Sequence, residues 1–334
     1  MNGSSPAGAG AGDEVARAVA ILRRGGLVAF PTETVYGLGA DASNPTAVRR
    51  IFAAKGRPTD HPLIVHLAGV EQLDEWAESI PAFVWQLARR FWPGPLTLIL
   101  RRRPRVPDEV TGGLDTVGLR VPRHPLALEL LRTFAGGLAA PSANRFGRVS
   151  PTCAEHVRAE LGDRVDLILD GGPCAVGVES TILDVSGAAP AILRPGGVTR
   201  EQLEEVLGDA LVSPASDAPR APGRLASHYA PQARVELVRR GDMLTRARTA
   251  AELGLRVALL VAGSRFVVPA GERWGERIEW VELPEDLAAR ARELYRALRS
   301  IDDARCDLAL IELPDEAGLG AAVADRLRKA AGQG

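Results

Sequence analysis

Aromatic residues are scarce in this sequence. They make up 4% of 334 residues, leaving few rings on which the bases of an RNA strand could stack. Cysteine is scarcer: Cys153, Cys174 and Cys306 are the three present. None sits in a CxxC pair, so neither a disulfide framework nor a structural zinc site organises the fold. No apolar run approaches the roughly 18 residues that read as a membrane span. Neither charge is in excess: 41 Lys and Arg stand against 42 Asp and Glu, a formal net charge of −1. Gripping nucleic acid by bulk basicity is thereby disfavoured. Residues 1–12, MNGSSPAGAGAG, have neither the basic start nor the apolar stretch of a signal peptide and are expected to form a disordered tail. A cytoplasmic protein is the expectation. A Walker A loop, an HExxH helix and a GxSxG elbow are also missing. The glycine-rich segment at 8–12 fails as a dinucleotide fingerprint, because Asp13 stands where the third glycine belongs and no strand precedes it.

The shortage of lysine says more. Of the 41 cationic side chains, only Lys55 and Lys329 are lysines. A chain that writes almost every cation as arginine keeps a lysine in AAKGRP. A compact ammonium there suits a phosphate contact as a point charge, although Lys329 in an ordinary C-terminal helix shows that a lysine can also stand without such a reason.

What is present alternates between strand and helix patterns. Helices are expected over 13–24, 45–56, 70–77, 81–91, 125–134 and 152–161, and another opens at the Thr199/Gln202 capping box. Strands are expected at 27–30, 63–67, 96–100, 117–121, 138–140, 165–169 and 181–185. Several neighbouring strands lack a helix between them, which points to a mixed open sheet flanked by helices. Residues 209–233 hold four prolines and little apolar periodicity and are expected to be an interdomain linker, too polar to belong to either core. Beyond it, RVALLVAG (256–263) and DLALIEL (307–313) are near-continuous apolar strands of the parallel, doubly covered kind. With helices near 284–300 and 320–330, they predict a second, smaller α/β domain over 234–334.

Five polar loop segments in the first domain, 13–208, follow apolar strands or end helices. They are PTETVYGLG (31–39), KGRPTDHP (55–62), GLRVP (118–122), APSANRFGRVSPT (140–152), and GVESTILD with LRPGG (177–184, 193–197). In open α/β sheets, ligand sites gather at such exits. The order and spacing of PTETVYGLG, KGRP, PSAN, SPT, ESTI and LRPG resemble the Sua5/YciO/YrdC family, specifically its two-domain Sua5 type. The likeness runs on through SHYAP (227–231), which is similar to the family's HYxP signature.

The resemblance implies a YrdC-like open twisted mixed sheet with flanking helices plus a smaller Rossmann-like α/β C-terminal domain. It implies an ATP-consuming nucleotidyltransferase that joins L-threonine, bicarbonate and ATP into threonylcarbamoyl-AMP and pyrophosphate. The threonylcarbamoyl group then passes, through a partner transferase, to tRNA. By the same likeness Lys55, Arg57, Ser142 and Asn144 form the family's Lys-Arg-Ser-Asn group at the nucleotide. His61, Thr116, Ser150, Arg194 and Tyr229 lie near ATP, and Thr34, His66, Arg120, Ala140 and Ser180 lie near threonine. His61 departs from the asparagine common in relatives. Arg120, inside an apolar strand, suits a two-bond grip on a carboxylate, and His66 could accept an amine proton. Glu33 and Glu179 could help hold Mg²⁺, which is expected to ride mainly on the triphosphate. The strap ending in His228 and Tyr229 could fold over the cleft and exclude water. Two rival readings are weighed: an RNA-binding module using RRRPR (101–105), and an allied carbamoyl-transfer enzyme. Direct contact with tRNA is left open.

Overall fold

The computed structural model describes residues 11–214, 218–223, 229–263 and 273–333. The expected tail at 1–10 and His228 lie outside these residues. Ala11 and Gly12 already belong to the first helix, Ala11–Arg23.

Nine strands of the first domain form one sheet: β1 (Val28–Phe30), β2 (Gly37–Asp41), β3 (Ile64–His66), β4 (Leu96–Arg101), β5 (Thr116–Arg120), β6 (Leu138–Ala139), β7 (Leu167–Ile168), β8 (Thr181–Asp184) and β9 (Ala191–Arg194). Their order is β7-β1-β2-β6-β3-β5-β4-β8-β9. Pairs β1/β7, β3/β5 and β4/β8 are parallel and the other neighbours antiparallel, so the sheet is mixed, as expected. Helix Pro45–Lys55 starts where Asn44 accepts from the amides of Thr46 and Ala47, with Pro45 in its first turn, and stops at Gly56 in a left-handed conformation. That stop fixes where Lys55 and Arg57 emerge. The capping box at Thr199 and Gln202 forms.

Two of the expected loops are partly strand. Residues 37–39 of the PTETVYGLG segment, with Ala40 and Asp41 beyond it, pair as β2 between β1 and β6, and Arg194 of LRPGG ends β9. The second domain is an all-parallel sheet, β10 (Arg234–Leu237), β11 (Val257–Ala262), β12 (Ile278–Leu283) and β13 (Leu308–Ile311), in the order β10-β13-β11-β12. Helices Leu287–Asp303 and Leu319–Ala330 pack against each other on the face turned to the first domain.

The described parts of the segment 209–233 are more than a polar tether. Ala218 and Ala221 pack with Ile64, Ile99, Ile182 and Leu193 of the first domain. Tyr229, 1% exposed, joins a cluster that also contains Val35, Val149 and Val178 of the first domain and Leu294, Tyr295 and Leu327 of the second. Burial of this kind contributes about 25 cal/mol per Å² of apolar surface, so the strap is held on both sides. The second domain approaches closely at Gly177. Its φ is +79°, and an added Cβ would lie 2.3 Å from Cα of Arg292 in helix Leu287–Asp303.

Candidate functional site

One cavity gathers residues from strands far apart in sequence. His66 and Arg120 end β3 and β5 and are register partners in that parallel pair. Thr34, Ala140, Ser142 and Ser180 line the same cavity, as do Arg57, Arg194 and Tyr229. Thus all five residues expected near threonine share one enclosure with four of those expected near ATP. Thr32, Pro141, Pro222 and Gly223 complete much of the wall. Pro222 and Gly223 come from the strap. Gly223 has φ +78°, and an added Cβ would lie 2.3 Å from the Tyr229 hydroxyl, so the backbone there closes directly onto the ring.

The cations of the cavity differ in how they are satisfied. Arg120, buried, donates Nη2 to Glu33 Oε1 at 2.7 Å and Nε to the Gly94 carbonyl at 3.2 Å. Its fork is therefore partly occupied by its own acid, and the two-bond grip expected of it can use only the donors that remain. Arg57 and Arg194 are equally buried and have no carboxylate partner among the described residues. Arg57 donates Nη2 to the Pro62 carbonyl at 3.0 Å and leaves Nε unpaired. Burial pulls its pKa down to about 10, opposed by Tyr229 and assisted by Arg194. Arg194 donates to the Ser180 carbonyl at 2.9 Å and to the Pro222 carbonyl at 3.0 Å. Arg194 also donates to the Ser180 hydroxyl at 3.2 Å. Two buried guanidiniums hydrogen-bonded to neutral oxygens, with no carboxylate ion pair of their own among the described residues, favour an anion between them.

Five expected nucleotide residues stand elsewhere. Lys55, buried, turns away from the cavity: Nζ donates to the carbonyls of Ser142 at 2.6 Å and Asn144 at 2.5 Å, and the side chain lines a second cleft with Arg145, Glu160 and Arg299. Burial first, then Arg57, pushes its pKa well below the ordinary value. Here it clamps the PSAN turn from behind. Asn144 donates to the carbonyls of Arg145 and Arg148 and leaves Oδ1 buried without a partner. His61 packs edge-on against Phe146, over which Arg57 also lies. Thr116 lines a small neighbouring cavity that shares Ile64 and Pro222 with the main one. Ser150 donates to Glu179 Oε1 at 2.7 Å.

The donor set does not suit a protein-held magnesium ion. Glu33 accepts from Arg120 and from the Arg123 amide. Glu179 accepts from Ser150, Tyr295 and Arg326. Both carboxylates expected to help hold Mg²⁺ are thus occupied, and no group of three potential ligands exists among the described residues. Three of the four arginines in the RRRPR cluster are also engaged internally. Arg102 pairs with Asp108, Arg103 donates to the Asp74 carbonyl, and Arg105 pairs with Glu75 over the Trp76 ring. No helix among the described residues is long and apolar enough to cross a membrane.

A family profile described as "Telomere recombination", spanning the Sua5, YciO and YrdC proteins, matches residues 20–196. A second, for the C-terminal domain of threonylcarbamoyl-AMP synthase, matches residues 198–332. The chain belongs to the Sua5/YciO/YrdC family. Threonylcarbamoyl-AMP synthase of Pyrococcus abyssi is 45% identical over 320 residues, covering 94% of this chain and 93% of that one. The Bacillus subtilis protein of the same name is 43% identical over 326 residues, covering 96% and 93%. The crystal structure of P. abyssi Sua5 complexed with L-threonine matches at a TM-score of 0.87 and 42% identity, covering 96% of this chain and 94% of that one.

Within this two-domain Sua5 architecture, His66 is neutral. Burial, then Arg120, depresses its pKa to about 3, and Nδ1 is buried without a partner. Such an imidazole is a poor acceptor for an amine proton; it suits a neutral hydrogen bond to a ligand. The sign of the linkage follows. An unfolded histidine titrates near 6.5, so between about pH 6.5 and 3 the unfolded chain binds more protons than the folded one. His66 thus contributes stability that is complete above about pH 6.5 and is lost as pH falls toward 3. His66→Asn is expected to lower proton uptake on unfolding near pH 5 by close to one proton. The pH dependence of urea-unfolding free energies measures this, and an unchanged slope would contradict the assignment.

Proposed function

We infer that the protein is a threonylcarbamoyl-AMP synthase: it combines L-threonine, bicarbonate and ATP into threonylcarbamoyl-AMP and pyrophosphate. The amine of threonine takes up the bicarbonate carbon with loss of water, giving a carbamate. A carbamate oxygen then attacks the α-phosphorus of ATP, the bond to the β-phosphate oxygen breaks, and pyrophosphate leaves. Such a reaction needs no covalent nucleophile from the protein. It needs the two substrates held together and the phosphate charge stabilised.

One observation carries the reading. Arg57 and Arg194, buried and in no ion pair with a carboxylate among the described residues, face the same cavity as the His66–Arg120 pair. We assign the guanidiniums to the triphosphate. Thr34, His66, Arg120, Ala140 and Ser180 we assign to threonine, whose presence in the P. abyssi relative supports a threonine subsite here. Mg²⁺ enters the reaction as part of the ATP substrate. The product is a reactive mixed anhydride, so a transferase that passes the group to tRNA must consume it.

Pyrophosphate release in the presence of all three substrates, compared with omission of each, tests the reading. Release should require threonine and bicarbonate as well as ATP and should need no RNA. Release from ATP alone would overturn it. The threonine subsite has its own test. Arg120→Lys keeps a charge but cannot serve both Glu33 and a carboxylate in the geometry of the fork. Calorimetry should show threonine affinity reduced at least ~10-fold and ATP affinity within about twofold of wild type. Equal losses for both ligands would contradict the assignment.

A further inference from the structure

The second domain reaches the cavity wall at one carboxylate. Glu179, just before β8, is the acidic residue in the described lining, alongside Arg57, Arg120 and Arg194. Its Oε2 accepts from the Tyr295 hydroxyl at 2.7 Å and from Arg326 Nε at 2.7 Å. Ser150 serves Oε1. Tyr295 and Arg326 belong to helices Leu287–Asp303 and Leu319–Ala330 of the second domain. Arg326 is fully buried, donates Nη1 to the Pro195 carbonyl at 3.0 Å, and lies 5.2 Å from the centroid of the Tyr229 ring. Tyr229 in turn stacks on Tyr295 with centroids 5.8 Å apart.

A buried carboxylate takes whichever cation is nearest. Arg194 is close enough to help depress the Glu179 pKa, after burial, which raises it, and Arg326, which lowers it. If Arg326 were absent, Glu179 would turn its charge on Arg194 and compete with a bound phosphate. We propose that Arg326 and Tyr295 are positioning residues of the nucleotide subsite: by holding Glu179 from the second domain, they leave Arg194 and Arg57 available to the triphosphate. The proposal rests on the assignment of those arginines to ATP made above. It gives the second domain a role in ATP binding that no contact with ATP is needed to fulfil.

The test is the KM for ATP and for threonine, from pyrophosphate release, in wild type and four variants. Arg326→Gln should raise the ATP KM ~10-fold and leave the threonine KM within about twofold. Arg326→Lys, which keeps the charge, should recover part of the loss. Tyr295→Phe removes one hydrogen bond and keeps the ring, and should raise the ATP KM ~3-fold. The decisive variant is Arg326→Gln with Glu179→Gln. Removing the competing charge should bring the ATP KM back to within about threefold of wild type, a recovery that lost packing cannot produce. A double variant no better than Arg326→Gln, or a parallel rise in both KM values, would overturn the proposal. If Arg326→Gln does not fold, Tyr295→Phe with and without Glu179→Gln decides by the same comparison. Failure of the underlying function would show separately, as wild type that does not need all three substrates.

Discussion

Lys55→Ala is expected to lose between ~10²- and 10³-fold in kcat/KM while remaining folded, the scale of removing one preorganised electrostatic contact, about 3–4 kcal/mol. The structure changes the reason for expecting it. The ammonium bridges the carbonyls of Ser142 and Asn144, so its removal frees the turn that presents Ser142 to the cavity. It also takes the shared ammonium donor from both carbonyls. Lys55→Arg should not rescue, because a planar fork does not fit where a compact ammonium sits between two carbonyls. Threonine affinity should change little, since none of its assigned contacts touches Lys55. Steady-state kinetics with a melting curve checks both parts. A folded Lys55→Ala protein with near-normal kcat/KM would remove Lys55 from the machinery.

Tyr229→Ala should break the coupling between ATP use and product. The ring is 1% exposed. It stacks on Tyr295, lies under the Arg326 guanidinium and meets the strap backbone at Gly223. Ala230 continues the attachment, its amide donating to the Gly147 carbonyl at 3.1 Å. Cutting the ring away forfeits packing on the order of 3–5 kcal/mol, as for other buried aromatics, and the strap should lift from the cavity mouth. Water would then reach the carbamate and the mixed anhydride. The ratio of adenylate product to pyrophosphate should fall at least ~5-fold. Ending the chain after residue 208 should lower it further, because the strap and the partners of Glu179 go together. Equal ratios in all three proteins would make the strap an inert tether.

The residues expected near threonine were more legible as one group than those expected near the nucleotide. Thr34, His66, Arg120, Ala140 and Ser180 each sit beside a strand or turn whose local pattern is plain, and they meet in one cavity. What local pattern cannot carry is the partner of each charge. Glu33 and Arg120 are 87 residues apart, and Glu179 and Arg326 are 147 apart. Glu33 and Glu179 therefore read as free acids near a metal, when both neutralise arginines. Lys55 read as a phosphate ligand because nothing local reveals two carbonyls arriving from residues 142 and 144. The same limit applies to the fold. Strand β2, GLGAD, is glycine-rich and lacks β-branched residues, so only its place between β1 and β6 makes it a strand. Strand β12, IEWVEL, is half-exposed at a sheet edge, and its mixed polarity hid it. The segment 209–233 looked too polar to pack, yet in its described parts Ala218, Ala221 and Tyr229 pack into apolar clusters.

The most direct test of the central claim follows the bicarbonate carbon. With ¹⁴C-bicarbonate, L-threonine and ATP, the protein should form a labelled adenylate in which label, threonine and AMP are present in equal amounts, matched by pyrophosphate. Hydrolysis of that product should return threonine, AMP and labelled carbon dioxide. An unlabelled threonyl-AMP, formed through the carboxylate of threonine, or pyrophosphate released without any labelled adenylate, would contradict the account.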